Sequence, residues 1–272
     1  MTFIMEFLSY DFIIKALLSG VLISLCAAML GVVLVLKKYS MIGDGLSHVG
    51  FGAVSLAMLF NTAPLVVAIP VVMLASFFLL KVGGKGKISG DTAIGMISVS
   101  SLAAGVIITS LNSGMNTDIN SLMFGSILAL SEGDVIFTVV SSIFVILLYS
   151  ILYNKIFSVT FDEEYSEATG INTELNNMII ALMTSLIIVL GMRIMGTMLI
   201  SGLVIFPAVT SMKLFKSFKS VVAGASVISV ICFVSGLIVS FAFSVPAGAS
   251  VIGINLVAFL LASILCKFCY SH

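Results

Sequence analysis

The chain has 272 residues, 60% of them hydrophobic and 9% charged, with twelve basic and twelve acidic side chains and a formal net charge of zero. That balance leaves no electrostatic footprint for a nucleic-acid partner. A charged fraction so far below the quarter or so usual in soluble domains, with a mean hydropathy of +1.29, excludes an ordinary water-soluble fold.

Taken in chain order, apolar runs occupy residues 12–36, 42–60, 63–82, 92–112, 135–153, 177–193, 196–213, 220–243 and 248–267, with a shorter run at 119–131. Most approach the ~20 residues that a helix needs to cross a bilayer. The expected fold class is therefore an all-α polytopic membrane protein forming one transmembrane domain over residues 1–272. It should hold about eight to nine membrane helices, a re-entrant segment and a short helix outside the membrane. No cleavable leader is expected, because Glu6 and Asp11, not a basic cluster, lead into the first run. Tryptophan is absent, and three of the four cysteines (Cys26, Cys232, Cys266, Cys269) lie inside apolar runs, so disulfides do not organise the fold.

Basic residues orient such a chain, since loops on the cytoplasmic side retain Lys and Arg. Lys37 and Lys38 follow the first run, Lys81, Lys85 and Lys87 the third, Lys155 the fifth, Lys213, Lys216 and Lys219 the seventh, and Lys267 the last. Only Lys15 and Arg193 fall elsewhere. The expectation is a multi-pass protein of a bacterial cytoplasmic membrane, N-terminus outside and C-terminus inside. The run at 119–131 then begins and ends on the outer side. It should dip in and return, covered by protein or lining a cavity.

The second run opens with GDGLSH, residues 43–48. Asp44 and His48 are spaced i, i+4 and so share one helix face, about 6 Å apart along the axis. An intramembrane carboxylate costs ~2.5–3.5 kcal/mol at a helix centre and marks a functional site by default. Carboxylate oxygen and imidazole nitrogen together bind divalent transition metals, and two ligands suit an ion that must also leave. Two plainer roles stay open: a mutually hydrogen-bonded polar pair, or Asp44 as a helix cap at the water interface. Gly43, Gly45, Gly50 and Gly52 flank the pair and permit close helix approach.

Residues 155–176 form the longest polar stretch and fall on the cytosolic side of the expected topology. Within it Asp162, Glu163, Glu164, Glu167 and Glu174 are acidic. Phe161, Tyr165 and Ala168 have the spacing of one face of a short amphipathic helix, and Gly170 stands where a C-cap belongs. Such a helix is either a solvated loop element or a docking surface. Elsewhere, Cys266, Cys269 and His272 have a metal-binding spacing at the very end of the chain, where most residues are unstructured. Asp118 is expected to solubilise an outer loop. The fifteen methionines fill gaps among apolar side chains, and Pro207 and Pro246 read as a kink and an outer turn.

Six stretches in order resemble the permease subunits of ABC importers for zinc, manganese and iron(II): SMIGDGLSHVGFGAVSLA, ISGDTAIGMISVSSLAAGVII, TDINSLMFGSILALS, FDEEYSEATGI, GTMLISGLVIFPAVTS and VPAGASVIGINLVAFLLA. The resemblance places Asp44 and His48 on the metal path. It makes the polar loop the helix that couples to an ATPase subunit, with Phe161, Asp162, Gly170 and Ile171 matching its pattern and Glu163, Glu164, Glu167 and Ala168 beside them. The partners implied are two copies of an ATP-hydrolysing subunit, a second copy of this chain, an extracytoplasmic metal-binding lipoprotein and membrane lipid. No permanently bound cofactor is implied, only a transported divalent metal. The chain itself carries no G-x-x-x-x-G-K-[ST] phosphate loop, so it is expected not to be an enzyme. Many manganese and iron members have Leu-Pro-Gly after the histidine; here Gly50-Phe51-Gly52 stands instead, and the wording is closer to zinc-uptake members. Manganese or iron(II) transport, an ion-coupled secondary transporter or channel, and an organic-cofactor permease of the ABC type, such as one for siderophores, remain as alternatives.

Overall fold

A computed structural model of the chain describes residues 10–85, 90–111, 123–125 and 130–269. Among the described residues ten helices follow one another: α1 (Asp11–Leu36), α2 (Ile42–Leu59), α3 (Pro64–Lys85), α4 (Gly90–Leu111), α5 (Glu132–Phe161), α6 (Glu163–Ala168), α7 (Thr173–Met195), α8 (Ile200–Leu214), α9 (Phe218–Phe243) and α10 (Ala247–Cys269). Seven of them, all but α3, α6 and α8, are long and apolar enough to cross a membrane; α3 and α8 contribute the shorter apolar stretches Pro64–Leu79 and Ile200–Leu214. The protein is the all-helical, multi-pass chain that its composition predicts.

Local chemistry sets the helix ends. Pro64, with no N–H to lose, opens α3. Ser131 and Asp134 close a reciprocal capping box at the start of α5: the Ser131 hydroxyl accepts from the Asp134 N–H at 3.2 Å, and the Asp134 carboxylate accepts from the Ser131 N–H at 3.1 Å. Asn172 caps α7 and Ser217 caps α9. α9 ends where Ser244 turns left-handed (φ 54°) just before Pro246, the predicted turn.

Several boundaries differ from the apolar runs, those of α5 and α8 among them. α5 continues eight residues beyond the run ending at 153, to Phe161. Its last turns are covered by rings: Phe218 of α9 lies 5.6, 5.3 and 5.9 Å from Tyr153, Phe157 and Phe161. α8 begins at Ile200 and not at 196, because Gly196 adopts φ +87° and ends α7. Pro207 lies inside α8, and Pro70 inside α3.

α1, α2 and α7 are buried over most of their length, while α4 and α10 turn most of theirs outward. Without a hydrophobic drive between helices in lipid, close packing of small residues and interhelical hydrogen bonds hold such bundles together. α1 meets α8 at Gly31, where a Cβ would collide with the main-chain oxygen of Val204. Ser229 of α9 donates to the Ser24 carbonyl of α1 at 2.9 Å, and Ser211 of α8 donates to the Val221 carbonyl of α9 at 2.7 Å.

The described part of the 119–131 run touches the break between α7 and α8. Gly125 (φ +80°) and Gly196 (φ +87°) lie main chain against main chain, and the Met198 N–H donates to the Met123 carbonyl at 3.3 Å. Irregular backbone from both segments is thus covered by protein, as a lipid-embedded bundle requires. Residues 112–122 and 126–129 of this region, including Asp118, lie outside the described residues.

Candidate functional site

Asp44 is the third residue of α2, and Met41, with no capping side chain, precedes the helix. The carboxylate is therefore inside the first turn, where the unpaired N–H groups favour an anion, and is not the cap. The Ser47 hydroxyl bonds the Asp44 carbonyl at 2.8 Å, leaving the carboxylate free of it. One turn on, His48 Nε2 stands 3.7 Å from Asp44 Oδ1. The i, i+4 spacing has brought the two together as expected, yet 3.7 Å is too long for a hydrogen bond. The His48 side chain is 10% exposed and that of Asp44 34%, and among the described residues His48 Nδ1 is buried without a partner.

His48 is buried in the bundle, and the glycines on either side of the pair pack against other helices. Gly43 packs beside Ile188 of α7 and Ser201 of α8, and Gly50 against Met192 Sδ. At ~1.5 Å per residue, Ile188 lies about 22 Å along α7 from its start at Thr173. The glycines on either side of the pair thus meet the distal part of α7, although Asp44 itself opens a helix. Gly45, Gly50 and Gly52 allow close approach, with Cβ positions 2.7 Å from Ile94, 2.6 Å from Met192 and 3.0 Å from the Ser101 carbonyl oxygen. At Gly43 the nearest atoms are 3.8 Å away or more, which is ordinary contact. Among the described residues no three His, Cys, Asp or Glu side chains gather in one place, so Asp44 and His48 stand as a pair of candidate donors.

At the other candidate site, the polar loop folds into α6, but not as one continuous face with Phe161. Phe161 ends α5; Asp162 is extended (φ −151°) and caps α6, its carboxylate accepting the Tyr165 N–H at 2.9 Å. The spacing of Phe161 and Tyr165 therefore spans a helix break. Gly170 (φ +84°) ends the element as predicted, with its N–H bonded to the Glu167 carbonyl and that of Ile171 to the Ser166 carbonyl, both at 2.9 Å. Ser166 is wholly buried and shares a 2.7 Å hydrogen bond with Ser158.

The acidic residues divide. Glu163 meets Lys37 Nζ at 2.5 Å and accepts from Asn177 Nδ2 at 3.1 Å. Partial burial pushes its carboxyl up, but the Lys37 hydrogen bond and charge, with Asn177, outweigh this and hold it below the usual glutamate range. Glu167 accepts from the Thr173 hydroxyl at 2.6 Å. Phe161, Glu164, Tyr165 and Ala168 are exposed, while Ile171 is half-buried.

The two basic residues outside the sequence pattern both have ion-pair partners. Arg193, near the end of α7, meets Asp134 at 2.6 Å, and Lys15 lies 3.4 Å from Glu132 and 3.8 Å from Asp11. Acidic residues in the first turns of α1 and α5 were the signal available for these pairs. In the C-terminal cluster, the Cys266 thiol bonds the Lys213 carbonyl at 2.9 Å; the Cys269 side chain and His272 lie outside what is described.

Comparison with known proteins finds matches along nearly the whole chain. The model of the ABC 3 transport family matches residues 9–266. The chain is 28% identical to the high-affinity zinc uptake system membrane protein ZnuB of Haemophilus influenzae, over 93% of this chain and 97% of that one. It is 29% identical to the manganese import system permease protein ScaB of Streptococcus gordonii, over 96% and 93%. Among solved structures it is similar to PsaBC from Streptococcus pneumoniae in complex with Fab, with a TM-score of 0.86 and 28% identity, covering 96% of this chain and 94% of that one.

Proposed function

The chain belongs to the ABC 3 transport family, and from that premise we propose that it is the permease subunit of an ATP-driven importer of a divalent transition metal. The observation that carries the metal is the Asp44–His48 pair, set inside the bundle with donor atoms 3.7 Å apart and His48 Nδ1 unpartnered among the described residues. A cation between the two groups would meet one oxygen and one nitrogen, a donor set shared by zinc, manganese and iron(II). Two copies of the chain would bring up to four such ligands to one path, enough for a transient tetrahedral site.

Zinc is the proposed cargo, on the GDGLSHVGFGA wording and the likeness to a protein named for zinc uptake. The likeness to a protein named for manganese import supports manganese as the second reading. α6 is proposed to face a separate ATPase subunit, presenting Phe161, Glu164, Tyr165 and Ala168, while Asp162, Glu163, Glu167, Gly170 and Ile171 shape the loop from within. The α6 end of the bundle is then cytosolic, and an extracytoplasmic binding protein delivers the ion at the opposite end.

The test is radiometal uptake into vesicles holding this chain, the ATPase and the binding protein, with zinc, manganese and iron(II) compared for wild type and His48→Ala. ATP-dependent uptake lost in the variant supports both class and site. Uptake by this chain alone under an ion gradient would replace the reading with a secondary transporter.

A further inference from the structure

We propose that Lys37 is a positioning residue that carries the movement of α6 to the metal-bearing start of α2; this rests on the transport reading above. Lys37 closes α1, and its side chain is only 6% exposed. Its ammonium is held at 2.5 Å by Glu163 Oε1 and at 2.6 Å by Asn177 Oδ1, while Asn177 Nδ2 also bonds Glu163 Oε1 at 3.1 Å. The three side chains form a closed triangle joining α1, α6 and α7.

The link from Lys37 onward has no slack. Lys38 is left-handed (φ 62°), the Tyr39 N–H returns to the Leu34 carbonyl at 2.8 Å, and the Ile42 N–H bonds the Tyr39 carbonyl at 3.0 Å. Asp44 follows two residues into the helix so started. A tight hydrogen-bonded turn transmits displacement where a loose loop would absorb it. α6 is also tied to α5 through Ser158–Ser166 and to α7 through Thr173–Glu167, but those ties lead into long helices. Among the described residues, the Lys37 tie is the one of these that leads within a few residues to Asp44.

Lys37→Met removes the charge and keeps the apolar stem, and it strands no buried charge, because the Glu163 side chain is 53% exposed. In vesicles with ATPase and binding protein, metal moved per ATP hydrolysed should fall by about tenfold, the scale of a typical coupling between sites. ATPase association and the KM for metal should hold. Glu163→Gln should act in the same direction. The reversed pair, Lys37→Glu with Glu163→Lys, should recover coupling that each single change loses, a rescue that a purely structural role for either residue does not predict. Lys37→Met moving as much metal per ATP as wild type, or a reversed pair no better than its singles, overturns the proposal. If wild type itself moves no metal with its ATPase present, the transport reading falls instead.

Discussion

His48 Nε2 lies 3.7 Å from Asp44 Oδ1 on the same face of α2, close enough to share a cation and too far apart to share a proton. Asp44→Ala and His48→Ala are each expected to lower metal uptake by ~100-fold, the upper range of what even an outer-shell partner contributes to metal affinity or activity. Membrane insertion and ATPase association should persist. Asp44→Asn, which keeps the shape and removes the charge, should behave like Asp44→Ala in uptake assays. Near-normal uptake by it would show that the carboxylate does not hold the ion.

Close helix approach makes a separate prediction. A side chain at Gly31 meets the main-chain oxygen of Val204, which cannot rotate away. Gly31→Ala should cost ~1–3 kcal/mol, as overpacking does, and lower the melting temperature in detergent. Gly43→Ala is the comparison, since its new methyl would find only ordinary contacts at 3.8–4.0 Å. Its stability should match wild type, and any loss of uptake would report on the space beside Asp44.

The start of α5 can be tested through its cap. Ser131→Ala removes one side-chain acceptor and should cost ~1 kcal/mol. Asp134→Ala removes the other half of the capping box and also the 2.6 Å partner of Arg193, so its melting temperature should fall further. Equal losses would mean that the Arg193 contact contributes nothing measurable.

Acid should loosen α6. Because the folded state holds the Glu163 carboxyl below its ordinary value, the contribution of the Lys37 tie is fully present above the unfolded glutamate pKa of ~4.3 and is lost as pH falls through the lower, folded one. Hydrogen exchange of residues 163–170 should be flat from neutral pH down to that window once intrinsic rates are removed, then rise. Glu163→Gln should abolish the step.

The helical architecture was legible in the hydropathy of the chain, as was the shared face of Asp44 and His48, because both follow from helix period alone. What the period could not show was a break at a single residue. The extended Asp162 divides Phe161 from Tyr165, though their spacing matches one helix face. Nor could local pattern show that Glu163 is committed, since its partner Lys37 stands 126 residues earlier. Glu163 and Glu167 look like free surface charge in the sequence, while the fold uses both internally. The surroundings of Asp44 were hidden for the same reason: the beginning of a run reads as a membrane edge until Ile188 and Ser201 are seen beside the neighbouring Gly43.

The meeting of Gly125 with Gly196 is made of main chain alone. It therefore responds to volume and not to charge: ionic strength, acidity and the identity of a passing ion leave it untouched, while one added carbon on either residue would wedge the covering segment away from the break between α7 and α8. At these two positions even alanine, the smallest step away from glycine, meets main chain on the other side.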